Sequence, residues 1–370
     1  QKIKELSGDL QKNQVNVMPT ITVCNDLVEP TSSKRNERIT SCFASAGQVQ
    51  LSSPALSLSD GTFIAAGEMN GSISLWSVSQ NMPTKTSSNV LFRFSNQDIH
   101  LSTSNNDFKA SPPNPLSKAA DPLIGHKNPV TSVHWNSSST ISSTSLDSTI
   151  KIWDIEANSS QTYSTKIPTI SHAIIDSSIL AASCTKSVFS LDTRESTCKE
   201  IVLDGDPIIT SIASTNLGII MGTDDGCLLL YDPRINKIYQ TLQISPAHLP
   251  ISKISGDTSI TVTSFDGIVR LLGNELPLFV EKVLSRAPIN GSIIGSCCVS
   301  LANRDDFIVS GSTIGKAIVW TSPDTFQTLP HPGDCVFDCV QLNKFVGSFV
   351  TCDSAGSLIM WARSFDQTSV

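Results

Sequence analysis

Short apolar and β-branched runs recur along most of the chain, and each ends in a large apolar side chain five positions after a small or polar residue. The final residues are Trp76, Trp153, Leu191, Tyr231, Leu272, Trp320 and Trp361. The runs read GSISLW, STIKIW, KSVFSL, GCLLLY, GIVRLL, GKAIVW and GSLIMW. Successive spacings of 77, 38, 40, 41, 48 and 41 residues therefore define a repeat of about forty residues with one long gap.

A second strand-like run precedes most of these turns, as in SITVTSFDG (259–267) and FIVSGSTIG (307–315). Short β-rich runs separated by turn residues at regular spacing predict an all-β protein. A unit of three or four short antiparallel strands cannot bury both of its faces alone, so we expect the units to stack as blades around an axis. Seven final residues predict seven blades.

This pattern resembles the WD40-repeat family of β-propellers over roughly residues 38–363. The resemblance is strongest at 125–156, where Trp153-Asp154 keeps the Trp-Asp pair of the family. It implies a seven-bladed propeller. Only nine residues follow Trp361, too few to turn back and pair well, so we expect an N-terminal strand to close the ring. PTITVCNDLV (19–28) and TSCFASAGQVQL (40–51) are the candidates, and closure of this kind is common in the family.

The domain prediction has three parts. Residues 1–37 form an N-terminal tail with a candidate closing strand, 38–363 form the propeller, and 364–370 form a C-terminal tail. The segment 81–123 is rich in Pro, Ser and Asn and has one apolar run, VLFRF (90–94). We interpret it as a long, partly disordered loop inserted between blades 1 and 2. The gap is nearly two repeats long, which leaves an eighth blade open as an alternative.

The resemblance also implies a hydrogen-bonded set inside the best-formed blade. The matching residues are His126, Asp147, Trp153 and either Ser143 or Ser145, of which Ser145 is our choice. A buried indole N–H and a buried imidazole each require a partner, so the expected role is structural. Other blades depart from the set. His248 and His331 are candidates for the histidine position, and the turn Asp is replaced by Thr185, Ile314 and Ala355.

Charge and composition narrow the classes of partner. The formal charge is −7, and nucleic-acid binding requires clustered Lys and Arg, so we expect no direct nucleic-acid contact. No run of eighteen apolar residues and no Phe-Arg-Arg-Gly element of phosphoinositide-binding propellers occurs, so we expect no membrane association. The ten cysteines lack paired CxxC spacing, which favours buried thiols in a reducing compartment over a metal site. We therefore expect a cytoplasmic or nuclear protein without a cofactor.

The sequence offers no catalytic motif. GSTIGKA (311–317) resembles a phosphate-binding loop, but it has three residues between its glycines and Ala317 after the Lys. HExxH and GxSxG do not occur. We therefore predict a non-enzymatic scaffold that binds other proteins, as a monomeric propeller within a larger hetero-complex.

Two sets of residues are candidates for partner binding. The first lies in loops that precede the first strand of a blade and comprises Lys127, Asn128, His248 and His331. The second lies in IIMGTDDGCLLLYDPR (219–234) and comprises Asp225, Asp232 and Arg234. It resembles the element by which some WD40 proteins dock on the damaged-DNA-binding adaptor of cullin-type ubiquitin ligases, where Arg would form charge-assisted contacts. Asp-x-Arg also occurs as a purely structural element, so that reading stays open.

The alternatives to a general scaffold are therefore a ubiquitin-ligase substrate receptor and a ribosome-assembly or nuclear-complex propeller. The stretch from VTSVHW to YDPR bears a faint likeness to WD40 proteins of transcription-coupled repair and ribosome assembly.

Overall fold

The structure, a computed structural model, describes residues 55–58, 63–78, 91–95, 116–175, 178–183, 186–194, 197–256, 259–284, 294–301, 304–323, 325–342 and 347–363. Within these ranges all the regular secondary structure is β-strand. The candidate strands 19–28 and 40–51 and both predicted tails lie outside the described residues.

The strands are numbered along the chain. They are β1 (Ala55–Leu58), β2 (Phe63–Gly67), β3 (Ser72–Val78), β4 (Leu91–Ser95), β5 (Leu116–Lys118), β6 (Leu123–Ile124), β7 (Val130–Trp135), β8 (Thr140–Ser145), β9 (Thr149–Asp154), β10 (Ser159–Ser164), β11 (Thr169–Ile175), β12 (Ser178–Ser183), β13 (Val188–Asp192), β14 (Thr197–Ile201), β15 (Ile209–Thr215), β16 (Gly218–Thr223), β17 (Cys227–Asp232), β18 (Lys237–Gln243), β19 (Ile251–Ser255), β20 (Thr261–Ser264), β21 (Val269–Leu272), β22 (Val280–Leu284), β23 (Ser296–Leu301), β24 (Arg304–Ser310), β25 (Lys316–Ser322), β26 (Thr325–Pro330), β27 (Val336–Gln341), β28 (Phe349–Asp353) and β29 (Leu358–Arg363).

These strands form seven antiparallel sheets, which are the blades. Blade 1 has the order β1-β2-β3-β5, with β6 also paired to β3. Blades 2 to 6 each use four consecutive strands, from β7–β10 to β23–β26, and blade 7 has the order β27-β28-β29-β4. All seven residues that end the sequence repeats lie in the third strand of their blade. The predicted seven-bladed, all-β propeller is confirmed.

The first strands form the inner ring. β1 contacts β7, β7 contacts β11, and the series continues through β15, β19, β23 and β27. β27 in turn contacts β1, so the blades close on themselves. Because neighbouring strands within a blade are antiparallel, the connecting loops fall on two faces. One face carries the loops that lead into the first strand of each blade and the turns between second and third strands, and we call it the upper face. The lower face holds the other turns.

The strand that completes blade 7 differs from the prediction. β4 pairs with β29, with Phe94 opposite Met360, so the outer strand comes from the run 91–95 rather than from 19–28 or 40–51. The free edge of β29 carries backbone N–H and C=O groups that require partners. β4 is part of the one apolar run in the segment 81–123, which makes it suited to cover that edge.

The segment 81–123 is therefore not only an inserted loop. Besides β4 it contains β5 and the first residue of β6, two strands that pair with β3 and supply the outer part of blade 1. The long gap between Trp76 and Trp153 holds outer strands for two blades, and the described strands leave no eighth sheet.

The small residue five positions before each final residue has a backbone reason. Gly71, Gly226, Gly267, Gly315 and Gly356 have φ between 65° and 89° and lie in the turn between second and third strands. Glycine adopts this left-handed region without steric cost. Blade 2 carries Ser148 there, with φ of 63°.

The apolar core lies between the blades. Middle strands such as β28 are buried along their whole length, whereas the outer strand β18 alternates between exposed and half-buried positions. Blades approach so closely that a Cβ added at Gly67 would lie 2.6 Å from Val130, and one at Gly222 would lie 2.6 Å from Ile251. Stacked sheets of this kind form a rigid ring on which the loops are held.

Candidate protein-interaction surfaces

A buried chain of hydrogen bonds holds the upper edge of blade 2. The Trp153 indole donates to Ser143 Oγ at 2.8 Å, and Ser143 Oγ lies 2.8 Å from His126 Nε2. The other ring nitrogen of His126 lies 3.0 Å from Asp147 Oδ2. The four side chains satisfy one another's polar groups in the core, as buried groups require.

The hydroxyl in this chain belongs to Ser143 rather than to the predicted Ser145. Ser145 lies at the end of β8, where its hydroxyl donates to the Asn128 carbonyl and accepts from the Asp147 amide. Both serines are fully buried, but the Trp153 indole donates to Ser143, two residues before Ser145 in the strand. Ser145 instead fixes the turn.

Asp147 is held as a carboxylate by its surroundings. Burial alone would raise its pKa, but hydrogen bonds from His126, the Thr149 hydroxyl and the Lys127 amide lower the pKa well below its usual value. The carboxylate is therefore charged at neutral pH, and both of its oxygens accept hydrogen bonds within the blade.

Blade 7 contains the same chain, although the repeat pattern does not align its Asp353 and His331 with the Asp and His of blade 2. The Trp361 indole donates to Thr351 Oγ1 at 2.8 Å, Thr351 Oγ1 lies 2.9 Å from His331 Nε2, and His331 Nδ1 lies 3.2 Å from Asp353 Oδ2. The predicted loss of the turn Asp at Ala355 is therefore compensated by Asp353. Thr351 lies ten residues before its Trp, as Ser143 does, and this spacing was the overlooked signal.

Blade 5 replaces the histidine with an arginine. Arg270 is buried, with Nη2 2.6 Å from Asp266 Oδ2 and Nη1 donating to Ser264 Oγ at 2.6 Å. Burial would raise the pKa of Asp266, but the Arg270 and Ser264 hydrogen bonds lower it overall. Arg270 therefore holds the turn carboxylate of blade 5, as His126 does in blade 2.

The predicted partner-binding residues lie on two opposite faces. The upper-face residues are Lys127, Asn128, Asp225, His248 and His331, whereas on the lower face Asp232 ends β17 and Arg234 lies in the turn that follows it. Lys127, Asn128 and His248 are exposed. The His331 side chain is fully buried in the blade 7 chain, so it cannot contact a partner. His248 does not take the histidine role in its blade, because it is exposed in a turn with φ of 51°.

In the Asp-x-Arg element, Asp232 has a structural role and the Arg234 side chain is exposed. Asp232 Oδ1 accepts the backbone N–H of Arg234 at 2.8 Å, which fixes the turn, and the Arg234 side chain is exposed. Blade 3 repeats this geometry, since Asp192 Oδ1 accepts the Arg194 amide at 2.9 Å. Both arginines line one cleft of about 970 Å³ on the lower face.

The described cysteines are free thiols. Cys297, Cys298, Cys339 and Cys352 are buried, and burial raises the pKa of Cys298 to about 11. Cys227 is half-buried, and burial and the nearby Asp225 raise its pKa to about 11. Groups of three metal-binding side chains do not occur among the described residues. In the same part of the chain, no helix is long and apolar enough to cross a membrane.

Comparison with known proteins supports the fold. Residues 118–154, which include all of β7, β8 and β9, match the family model described as WD domain, G-beta repeat. No curated protein matches the chain significantly in sequence. Solved structures do match, in 1537 chains. One is the β-propeller domain of Cps50 (Swd1) from Myceliophteria thermophila, with a TM-score of 0.63 and 14% identity over 85% of this chain and 96% of that chain. At this identity the likeness shows the fold alone.

Proposed function

We propose that this seven-bladed propeller, with its WD40 repeat at 118–154, is a non-catalytic scaffold that binds other proteins as a subunit of a larger complex. We place that complex in the cytoplasm or the nucleus. WD40 propellers commonly act in this way. The side chains of His126, His331 and Asp353 form hydrogen bonds inside their blades. The loops and outer strands are therefore the surfaces that we expect to bind partners.

The observation that carries the proposal is a concentration of exposed apolar side chains on blades 4 and 5. Ten large apolar residues are exposed among those described, and five belong to these two blades: Ile235, Tyr239, Leu276, Phe279 and Val283. We call these five the blade 4–5 patch. Two of the five, Tyr239 and Leu276, line the same cleft, and apolar side chains exposed next to one another are characteristic of sites that bind partners.

Affinity purification with mass spectrometry tests the scaffold role. We expect the tagged wild-type chain to recover at least one partner in stoichiometric amount, and the Ile235→Ser/Leu276→Ser variant to lose it. The matched control is Ile314→Ser, an equally exposed apolar residue in an upper-face turn of blade 6. Circular dichroism would verify that both variants fold. A wild-type chain that recovers no stoichiometric partner would contradict the proposal.

The upper face remains a separate prediction. Lys127, Asn128 and His248 are exposed there and could hold a second partner while the lower face is occupied. We expect their combined substitution by Ala to remove a different partner from the one that depends on the blade 4–5 patch. Unchanged recovery of every partner would show that this face is not used.

A second candidate function is that of a substrate receptor of a cullin-type ubiquitin ligase. The exposed Arg234 side chain, presented by a turn that Asp232 fixes, supports it. In this case the adaptor should co-purify with the wild-type chain and be lost in Arg234→Glu, but not in Lys237→Glu, which changes an exposed neighbour. The same purification would instead identify ribosomal or nuclear proteins if the chain acts in ribosome assembly or in a nuclear complex.

A further inference from the structure

The lower-face cleft combines cationic and apolar walls. It extends across blades 3 to 5, with Ile175 and Arg194 on the blade 3 side and Arg234 and Tyr239 from blade 4. Leu276 and Pro277 of blade 5 form its opposite wall. Tyr239 is 60% exposed and Leu276 is 56% exposed, so both present apolar surface to solvent at the mouth.

The same hydrogen bond fixes the turn that carries each arginine. In each case an Asp two positions earlier accepts the arginine's own amide, which turns the chain and projects the side chain away from the blade. The Arg194 side chain is 77% exposed, and its Nε lies 3.9 Å from Asp192 Oδ1. The Asp232 carboxylate also accepts a hydrogen bond from the Tyr239 hydroxyl of β18 at 3.3 Å, so both of its oxygens have partners within the β17–β18 hairpin.

The blade 5 wall is fixed before any ligand arrives. The Gln240 side chain donates to the Leu278 carbonyl at 2.9 Å and accepts the Leu278 amide at 2.8 Å, like a neighbouring strand. Asn216 also donates to Asn274. These contacts tie the loop between β21 and β22 to blade 4. A wall fixed in advance lowers the ordering cost of binding.

The charge of the cleft contrasts with that of the chain. The chain carries a formal charge of −7, yet two exposed arginines and a single acidic residue, Asp232, line this cleft. Arginine pairs with carboxylates through two parallel hydrogen bonds, and a cleft with apolar walls accommodates a large side chain between them.

We propose that the cleft binds an acidic peptide segment of a partner protein, in which carboxylates flank a pair of large apolar side chains. The carboxylates pair with Arg194 and Arg234, and the apolar side chains lie against Tyr239 and Leu276. This inference rests on the proposed function of the chain as a scaffold and names the partner chemistry of one of its surfaces.

A synthetic peptide tests the proposal directly. The probe is fluorescein-labelled GDELFEDG, titrated with the full chain and followed by fluorescence anisotropy. We expect saturable binding that weakens with added salt. GNQLFQNG, which lacks the charges, and GDEAAEDG, which lacks the apolar residues, should each bind about tenfold more weakly, a difference of about 1.4 kcal/mol.

Variants of the chain assign the site. Arg194→Glu/Arg234→Glu should weaken binding of the acidic probe by about tenfold or more. The matched control, Lys166→Glu/Lys316→Glu, makes the same change in net charge at two exposed positions outside the cleft and should bind like wild type. Because all four positions are exposed, these variants should fold, and thermal melting followed by circular dichroism would verify it.

Each other outcome overturns the inference. These outcomes are absence of binding, equal binding of the neutral peptide, and equal loss in both double variants. If the wild-type chain still recovers stoichiometric partners in such a case, the scaffold proposal stands and only the assignment of the cleft fails. If it recovers none, the scaffold proposal itself fails.

Discussion

Two blades arrive at one hydrogen-bonded chain through different residue spacings. Asp147 follows Ser143 by four residues, whereas Asp353 follows Thr351 by only two. Asp353 therefore takes the strand position that Ser145 has in blade 2, and its carboxylate still reaches the histidine. A residue's role in this ring is set by where its atoms lie, and alignment of the repeats alone assigns it incorrectly.

The Thr351 hydroxyl is the central acceptor of the blade 7 chain, which gives a first prediction. Thr351→Val keeps the side-chain shape but leaves the Trp361 indole and the His331 ring without their shared partner. We expect a loss of about 1–3 kcal/mol in the free energy of unfolding, measured by urea denaturation. Thr351→Ser keeps the hydroxyl and should retain more stability than Thr351→Val. Equal losses in both variants would contradict the importance of the hydroxyl.

Ser148 occupies the turn position that five other blades fill with glycine, which gives a second prediction. Its φ of 63° costs a non-glycine residue about 1–2 kcal/mol, partly offset by the greater unfolded-state entropy of glycine. We expect Ser148→Gly to stabilise the chain by up to about 1 kcal/mol. Gly226→Ser, the reverse change in blade 4, should destabilise it, since a Cβ there would lie 2.5 Å from the Ser245 Cβ. Thermal and chemical unfolding would show both signs.

At the scale of the element, the apolar pattern located second and third strands far better than outer ones. A strand such as β16 is packed between neighbouring blades and reads as a continuous apolar run. β10, with sequence SSQTYS, lies at the rim and is almost wholly exposed, so its composition resembles that of a loop. Strands at the rim need only backbone pairing, and backbone pairing leaves little trace in side-chain chemistry.

The origin of the closing strand gives a third prediction. If β4 pairs with β29, backbone amides within Leu91–Ser95 should be protected from hydrogen exchange to a degree similar to those of β26, the outer strand of blade 6. Exchange followed by mass spectrometry of proteolytic fragments would measure this. Rapid exchange at 91–95 together with protection at 19–28 or 40–51 would return closure to the N-terminal segment.

At the scale of the whole molecule, inner strands from distant blades bring ionisable groups together around the axis. Lys253 of blade 5 forms an ion pair with Asp338 of blade 7, past Gly295 of blade 6. The rings of His134 and His172, from blades 2 and 3, lie in edge contact with centroids 4.6 Å apart. Burial and the charge of Lys253 lower the pKa of His134 to about 4, and burial lowers that of His172 well below its usual value.

This arrangement gives a fourth prediction, on pH. Both histidines are neutral in the folded propeller at neutral pH, whereas in the unfolded chain they titrate near pH 6.5. The unfolded state therefore binds more protons as the pH falls, and the free energy of unfolding should decrease from about pH 6.5 towards pH 4. Urea denaturation at pH 7.5 and 5.5 would measure the decrease. His134→Gln and His172→Gln should each reduce the pH dependence. A stability that rises with acidity would contradict the pKa directions.

Repeat length, seven blades, an all-β fold and the turn residues follow from the sequence, because burial between blades forces apolar runs and the left-handed turn selects glycine. The tertiary structure alone decided that 91–95 completes blade 7, that Asp353 supplies the carboxylate of the hydrogen-bonded chain there, and that Arg194 and Arg234 share a cleft. Each of these joins residues far apart along the chain or out of register with the repeat. Such contacts depend on the closed geometry of the ring, which no local pattern records.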